Sequence, residues 1–139
     1  MNKYFTKEYI KECKAEEIQI IRRQIRYEEG LSYQKFYEGD YRYFEDAPQK
    51  DNIVLITKDE LWQVNVHYWL PTGDQLDEEI AKICEDKEVD YTFTFNPLGW
   101  GCIIETHDLS TSDEAENEYT FQDDNPLICK IKLLKELLK

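Results

Sequence analysis

Residues 89–106 read VDYTFTFNPLGWGCIIET. Val89, Tyr91, Phe93 and Phe95 alternate with Asp90, Thr92 and Thr94, the period of two that gives a strand one apolar and one polar face. Asn96-Pro97-Leu98-Gly99 is turn chemistry, and Trp100–Thr106 returns as a second strand. The stretch therefore predicts an antiparallel hairpin whose apolar face needs cover.

Amphipathic segments on both sides supply that cover. Upstream, Thr72 and Gln75 have capping-box spacing, and Asp74, Asp77, Glu78 and Glu79 sit where the helix dipole favours anions. Leu76, Ile80, Ile83 and Cys84 form the buried stripe of a helix ending near Asp86. Downstream, 107–117 is a polar loop. Glu118–Gln122 is a third strand with Tyr119 and Phe121 facing together. Asn125 then caps a last helix with Pro126 at its favoured first position. Leu127, Ile131, Leu134 and Leu138 make its stripe, and Lys135 and Lys139 complement its C-terminal dipole. The order is α-β-β-β-α.

The first half is less regular. Tyr9, Ile10, Cys13, Ile18, Ile21 and Ile25 recur at helical spacing, so 6–28 reads as one helix capped by Thr6 and stopped at Glu29-Gly30. Residues 36–45 alternate, with Tyr37, Gly39, Tyr41 and Tyr43 on one face and Asp40, Arg42 and Phe44 on the other. After turn material at 47–52, Ile53–Thr57 is a short strand rich in β-branched residues. Trp62, Val64, Val66, Tyr68 and Leu70 alternate with Gln63, Asn65 and His67, which puts His67 on a polar face. Three strands joined by short turns predict an antiparallel meander. The fold class is α+β: an N-terminal helix and meander, then an α-β-β-β-α sandwich with an antiparallel sheet. The 139 residues fit one domain, subdivided as 1–70 and 71–139.

Net charge is −13 and unevenly placed. Residues 1–35 carry eight bases and six acids; the other 104 carry nine bases and 24 acids. So negative a surface repels phosphate backbones and argues against direct nucleic-acid binding by the C-terminal two-thirds. The four cysteines, Cys13, Cys84, Cys102 and Cys129, form no CxxC pair and sit among apolar or helical neighbours, as buried thiols do. With no signal peptide, stop-transfer segment or lipidation motif, a reducing cytoplasm with free thiols is expected.

No catalytic motif stands out. There is no Gly-rich phosphate loop, no His-Glu-x-x-His and no nucleophile elbow. His67 and His107 are 40 residues apart, and neither has a partner at ligand or triad spacing. The stretch 108–124 holds seven acids and no base, but not the spacing or glycine of an EF-hand. No cofactor and no metal is expected, nor an enzymatic activity. The candidate interaction residues are the acids Asp108, Asp113, Glu114 and Glu116 and the aromatics Tyr37, Tyr41 and Tyr43. Tyrosine offers contact area and a hydroxyl at low entropic cost.

The order of an Asp74–Lys87 helix, Asp90–Phe95 and Trp100–Glu105 strands, an acidic loop, a Glu118–Phe121 strand and an Asn125–Leu138 helix resembles the phage ABA sandwich domain. The carried features are Trp100-Gly101-Cys102-Ile103-Ile104 and Pro126-Leu127-Ile128-Cys129-Lys130. Upstream, Lys11–Gln19, Glu38-Gly39-Asp40 and Trp69-Leu70-Pro71 with Asp74-Gln75-Leu76 look like short prophage proteins of Gram-positive bacteria. The resemblance implies a phage or prophage origin and an α/β sandwich, and carries no assigned activity or functional residue. The chain departs from it by the acidic insertion at 108–118 and the Tyr-rich strand.

These readings converge on a non-enzymatic phage or prophage accessory protein that binds another protein. Its specific form is an acidic inhibitor of a host DNA-binding or defence protein. The alternative is a small-molecule binder for a nucleotide or metabolite, with Tyr43, Trp62, Tyr68 and Trp69 lining an aromatic pocket. A third reading is a homo-oligomeric assembly protein. No membrane partner is expected.

Overall fold

The computed structural model describes residues 3–45, 52–63, 67–87, 89–96, 101–108 and 121–139. The expected turns at 47–52 and 96–99, most of the 107–117 loop, and Tyr119 fall wholly or largely outside them. Among the described residues the elements run α1 (Lys7–Cys13), α2 (Glu16–Arg22), β1 (Ile25–Glu28), β2 (Leu31–Phe36), β3 (Tyr41–Phe44), β4 (Ile53–Leu55), β5 (Glu60–Gln63) and β6 (His67–Leu70). They continue with α3 (Gly73–Lys87), β7 (Val89–Asn96), β8 (Gly101–Asp108), β9 (Phe121–Asp123) and α4 (Pro126–Leu137). Helices with antiparallel sheets make the protein α+β, as the hydrophobic periods predict. The chain divides into two compact units: residues 1–12 with 73–139, and residues 13–72.

The first unit is the α-β-β-β-α arrangement. β7, β8 and β9 form an antiparallel sheet in that order, with Val89 opposite Asp108 and Ile104 opposite Phe121. α3 and α4 pack on each other; α4 lies over β8 and β9, and α3 over β7. Leu76, Ile80 and Cys84 are buried, as their spacing predicts. Asn125 caps α4 through its side-chain oxygen, which accepts the Leu127 N–H at 3.0 Å. Its amide nitrogen donates to the Tyr4 carbonyl at 2.7 Å, so one side chain holds the starts of both α4 and α1. Thr6 accepts the Tyr9 N–H, the N-cap expected for the first helix. Lys135 of α4 pairs with Glu12 of α1 at 2.6 Å.

α4 buries more than the stripe its sequence suggests. Leu127, Ile131 and Leu134 are joined by Ile128, Cys129, Leu133 and Leu137. Leu138 is exposed because it stands at the C-cap, and Leu137 takes the buried place. Cys13 and Cys84 are buried thiols outside any disulfide, but Cys129 is disulfide-bonded, against the expectation of four free thiols. The packing of α4 over β8 and β9 places Cys129 against the sheet, a proximity that no local cysteine spacing reveals.

The second unit corrects the reading of residues 13–72. The single helix over 6–28 is two helices and a strand. α1 ends at Cys13, whose carbonyl is taken by the Gln19 side chain at 2.6 Å. Ala15 is extended (φ −58°, ψ 135°) and starts α2 afresh. Residues 25–28 pair with 31–34 as a hairpin, with Glu28 opposite Leu31. Its two-residue loop, Glu29-Gly30, has positive φ at both positions (50° and 79°), the hand that matches strand twist. The dipeptide read as a helix stop is therefore a hairpin turn.

The meander is likewise replaced by two three-stranded antiparallel sheets, ordered β1-β2-β5 and β4-β3-β6. The alternation over 62–70 is not one strand but β5 and β6, one in each sheet. Ring contacts join the inner faces: Phe36 of β2 lies 6.2 Å from Phe44 of β3 and 4.7 Å from His67 of β6, centroid to centroid. Trp62 of β5 stacks on Phe36 at 5.6 Å.

Candidate functional site

The register of β3 against β6 decides which side chains meet. Arg42 lies opposite Trp69, and Phe44 opposite His67. Directly opposed residues share a sheet face, as do residues two apart along a strand. Arg42, Phe44, His67 and Trp69 therefore share the inner face, and Tyr41, Tyr43, Tyr68 and Leu70 the other.

A cation and an imidazole are thus placed in the aromatic interior of this unit. The Arg42 side chain is fully buried, with Cζ 4.6 Å from the Phe36 ring centre. None of its three guanidinium nitrogens has a hydrogen-bond partner among the described residues. His67 is 7% exposed, and both ring nitrogens are unpaired; so is the indole nitrogen of Trp69, 1% exposed. Asn52 Oδ1 is the one unpaired oxygen among these buried atoms. The Asn52 backbone carbonyl accepts the Phe44 N–H, which sets the residue beside the same group.

Burial pulls the Arg42 guanidinium down to about 10, opposed by the nearby charge of Asp40. It is still cationic at neutral pH. Burial, then the charge of Arg42, lowers His67 to about 4, so its imidazole is neutral. Asp40 is itself buried and gives both carboxylate oxygens to Arg22, at 2.8 and 2.9 Å. That fork-to-carboxylate geometry is the strong form of the pair.

Of the interaction residues singled out from sequence, the side chains of the three tyrosines are among those described. Tyr37 is half-buried beside Gln24, whose side chain accepts its hydroxyl, and Arg22 lies 4.7 Å over its ring. Tyr41 and Tyr43 are half-buried on the sheet face away from Arg42. Lys14 reaches over Tyr43 and Tyr68, 5.4 Å from each ring, and also pairs with Glu45. Of the four residues expected to line one pocket, Tyr43 and Tyr68 share the outer face, while Trp69 is on the inner face. Trp62, in the other sheet, packs on Phe36. Asp108 closes β8 with its side chain outside the described set, where Asp113, Glu114 and Glu116 also lie. His67 is not on a polar face: it is buried, edge-on to the Phe36 ring. Arg42, Phe36 and His67 went unmarked as a group. Their only sequence signal is the pairing of Arg-x-Phe at 42–44 with His-x-Trp at 67–69.

Two surface features complete the description. The exposed side of α3 carries Asp74, Glu78, Glu85 and Asp86, with Lys82 as the base among them. Among the described residues of the second unit, eight large apolar side chains are more than a third exposed, from Ile20 and Tyr27 to Leu61 and Trp62. Among the described residues no group of three or more His, Cys, Asp or Glu is placed to hold a metal ion, and no helix is long and apolar enough to cross a membrane.

Compared with protein-family models, curated proteins and solved structures, the chain shows no match.

Proposed function

We propose that the protein acts without catalysis, by binding a basic protein, as an accessory factor of a phage or prophage in the cytoplasm of its bacterial host. The observation that carries this reading is the ordering of acids in the first unit. Residues 1–12 and 73–139 hold nine bases and 19 acids, a balance of −10; residues 13–72 hold eight and 11, a balance of −3. Within the acidic unit, Asp74, Glu78 and Glu85 recur at helical spacing along one face of α3, with Lys82 as the base among them. A row of carboxylates on a rigid rod attracts a basic groove of the kind that holds a nucleic-acid backbone, and steers its approach.

The test is capture from host lysate by the wild type and by a variant with Asp74→Asn, Glu78→Gln, Glu85→Gln and Asp86→Asn. A partner retained by the wild type, lost with the variant, and released by excess duplex DNA or about 0.5 M salt supports the reading. Identical capture by both proteins, or none, overturns it. A second reading, the small-molecule binder, is favoured by the unpaired groups around Arg42.

A further inference from the structure

We propose that the interior of the second unit is a binding site for a small molecule bearing an oxyanion, a carboxylate or a phosphate, with Arg42 as its anchor. A buried guanidinium without partners is among the most costly groups a fold can hold, so its place must be compensated. Here compensation from the described residues does not come. Asp40 is close enough to be felt, yet both its oxygens are taken by Arg22, and Arg42 is left with three unpaired nitrogens.

The chemistry of the unpaired atoms selects the ligand. Of seven such atoms, six are nitrogens, on Arg42, His67 and Trp69, and one is Asn52 Oδ1. The guanidinium and the indole can only donate, and a neutral imidazole donates from one nitrogen. A donor-rich site calls for an acceptor-rich guest. Phe36 occupies a position over the guanidinium at 4.6 Å, and a stacked guanidinium keeps its in-plane N–H fork free for two oxygens. Asn52 Oδ1 can take a hydroxyl or ammonium carried by the same molecule. The aromatic rings of Phe44 and Trp62, 5.9 Å apart, supply an apolar wall. Trp62, 41% exposed, is the wall residue nearest solvent by exposure. The site lies wholly in residues 13–72, so it stands or falls independently of the acidic face of α3.

The experiment is a titration of the full chain, followed by the indole N–H resonance of Trp69, with inorganic phosphate, acetate and, as control, chloride at matched ionic strength. Phenyl phosphate and benzoate form a second pair of arms that separates phosphate from carboxylate on a larger body. Saturable movement of the Trp69 signal with one oxyanion but not chloride is expected. Arg42→Leu should weaken it about 10- to 100-fold, the effect of losing a charged hydrogen-bonding partner. Arg42→Lys, which keeps the charge but not the fork, should fall between. Should Arg42→Leu fail to fold, the comparison of wild type with Arg42→Lys, read by the same Trp69 resonance, carries the test. No saturable response to any oxyanion, or equal response in wild type and Arg42→Leu, overturns the proposal.

Discussion

Gln19 completes the edge of a sheet with its side chain. Its Oε1 accepts the Trp69 N–H at 2.8 Å, and its Nε2 donates to the Trp69 carbonyl at 3.0 Å. The amide thus pairs with β6 as a neighbouring strand would, while the same nitrogen holds the end of α1 at Cys13. Gln19→Leu keeps similar bulk but strands three buried backbone groups. It should lower stability by about 2–4 kcal/mol, measured by urea unfolding; a loss below 0.5 kcal/mol, to use a rough threshold, would show that water replaces the amide.

The hairpin turn holds a glutamate where side chains are strained. Glu29 has φ 50°, a region that asparagine or glycine enters more readily. Glu29→Asn should raise stability by about 0.5–1 kcal/mol. Gly30→Ala, at φ 79°, should lower it by about 1 kcal/mol. Thermal unfolding of the pair of variants gives both signs in one experiment.

His67 should make the second unit sensitive to mild acid. Its pKa falls from 6.5 in the unfolded chain to about 4 when folded. Between those values the unfolded state binds the extra proton, so stability rises with pH through this window and is lost as pH falls. The full effect is at most about 3 kcal/mol. His67→Phe should flatten the slope of stability between pH 5 and 6.5, a range chosen to lie roughly above ordinary carboxylate titration. An unchanged slope would show that the imidazole finds a proton-accepting partner on protonation.

Alkylation with mass spectrometry tests the cysteines. Cys13 and Cys84, buried thiols outside any disulfide, should be labelled only after denaturation. Cys129 should require a reductant as well. Labelling of Cys129 in the denatured, unreduced chain would remove the disulfide.

The C-terminal elements were legible because every local signal agrees there. The period-two strand 89–95, the Asn125-Pro126 start and the acidic first turns of α3 all point to one arrangement, and the long helices leave room for the pattern to repeat. The N-terminal half was not, because Ile18, Ile21 and Ile25 keep a helical spacing across a boundary that tertiary contacts set. The closing of α1 by Gln19 depends on a residue 50 positions away. Arg42 escaped notice for a different reason. Alternation assigns it to a face but does not say which face is covered, and arginine is rarely fully buried.

The assignment of residues 1–12 to the same unit as 73–139 has a consequence for synthesis. Tyr4 and Glu12 wait for Asn125 and Lys135, which are synthesised 121 and 123 residues after them. By then residues 13–72 have long been available to close their own sheets. In sequence the second unit is an insertion within the first, and α1 can make its contacts to Asn125 and Lys135 only once α4 has been made.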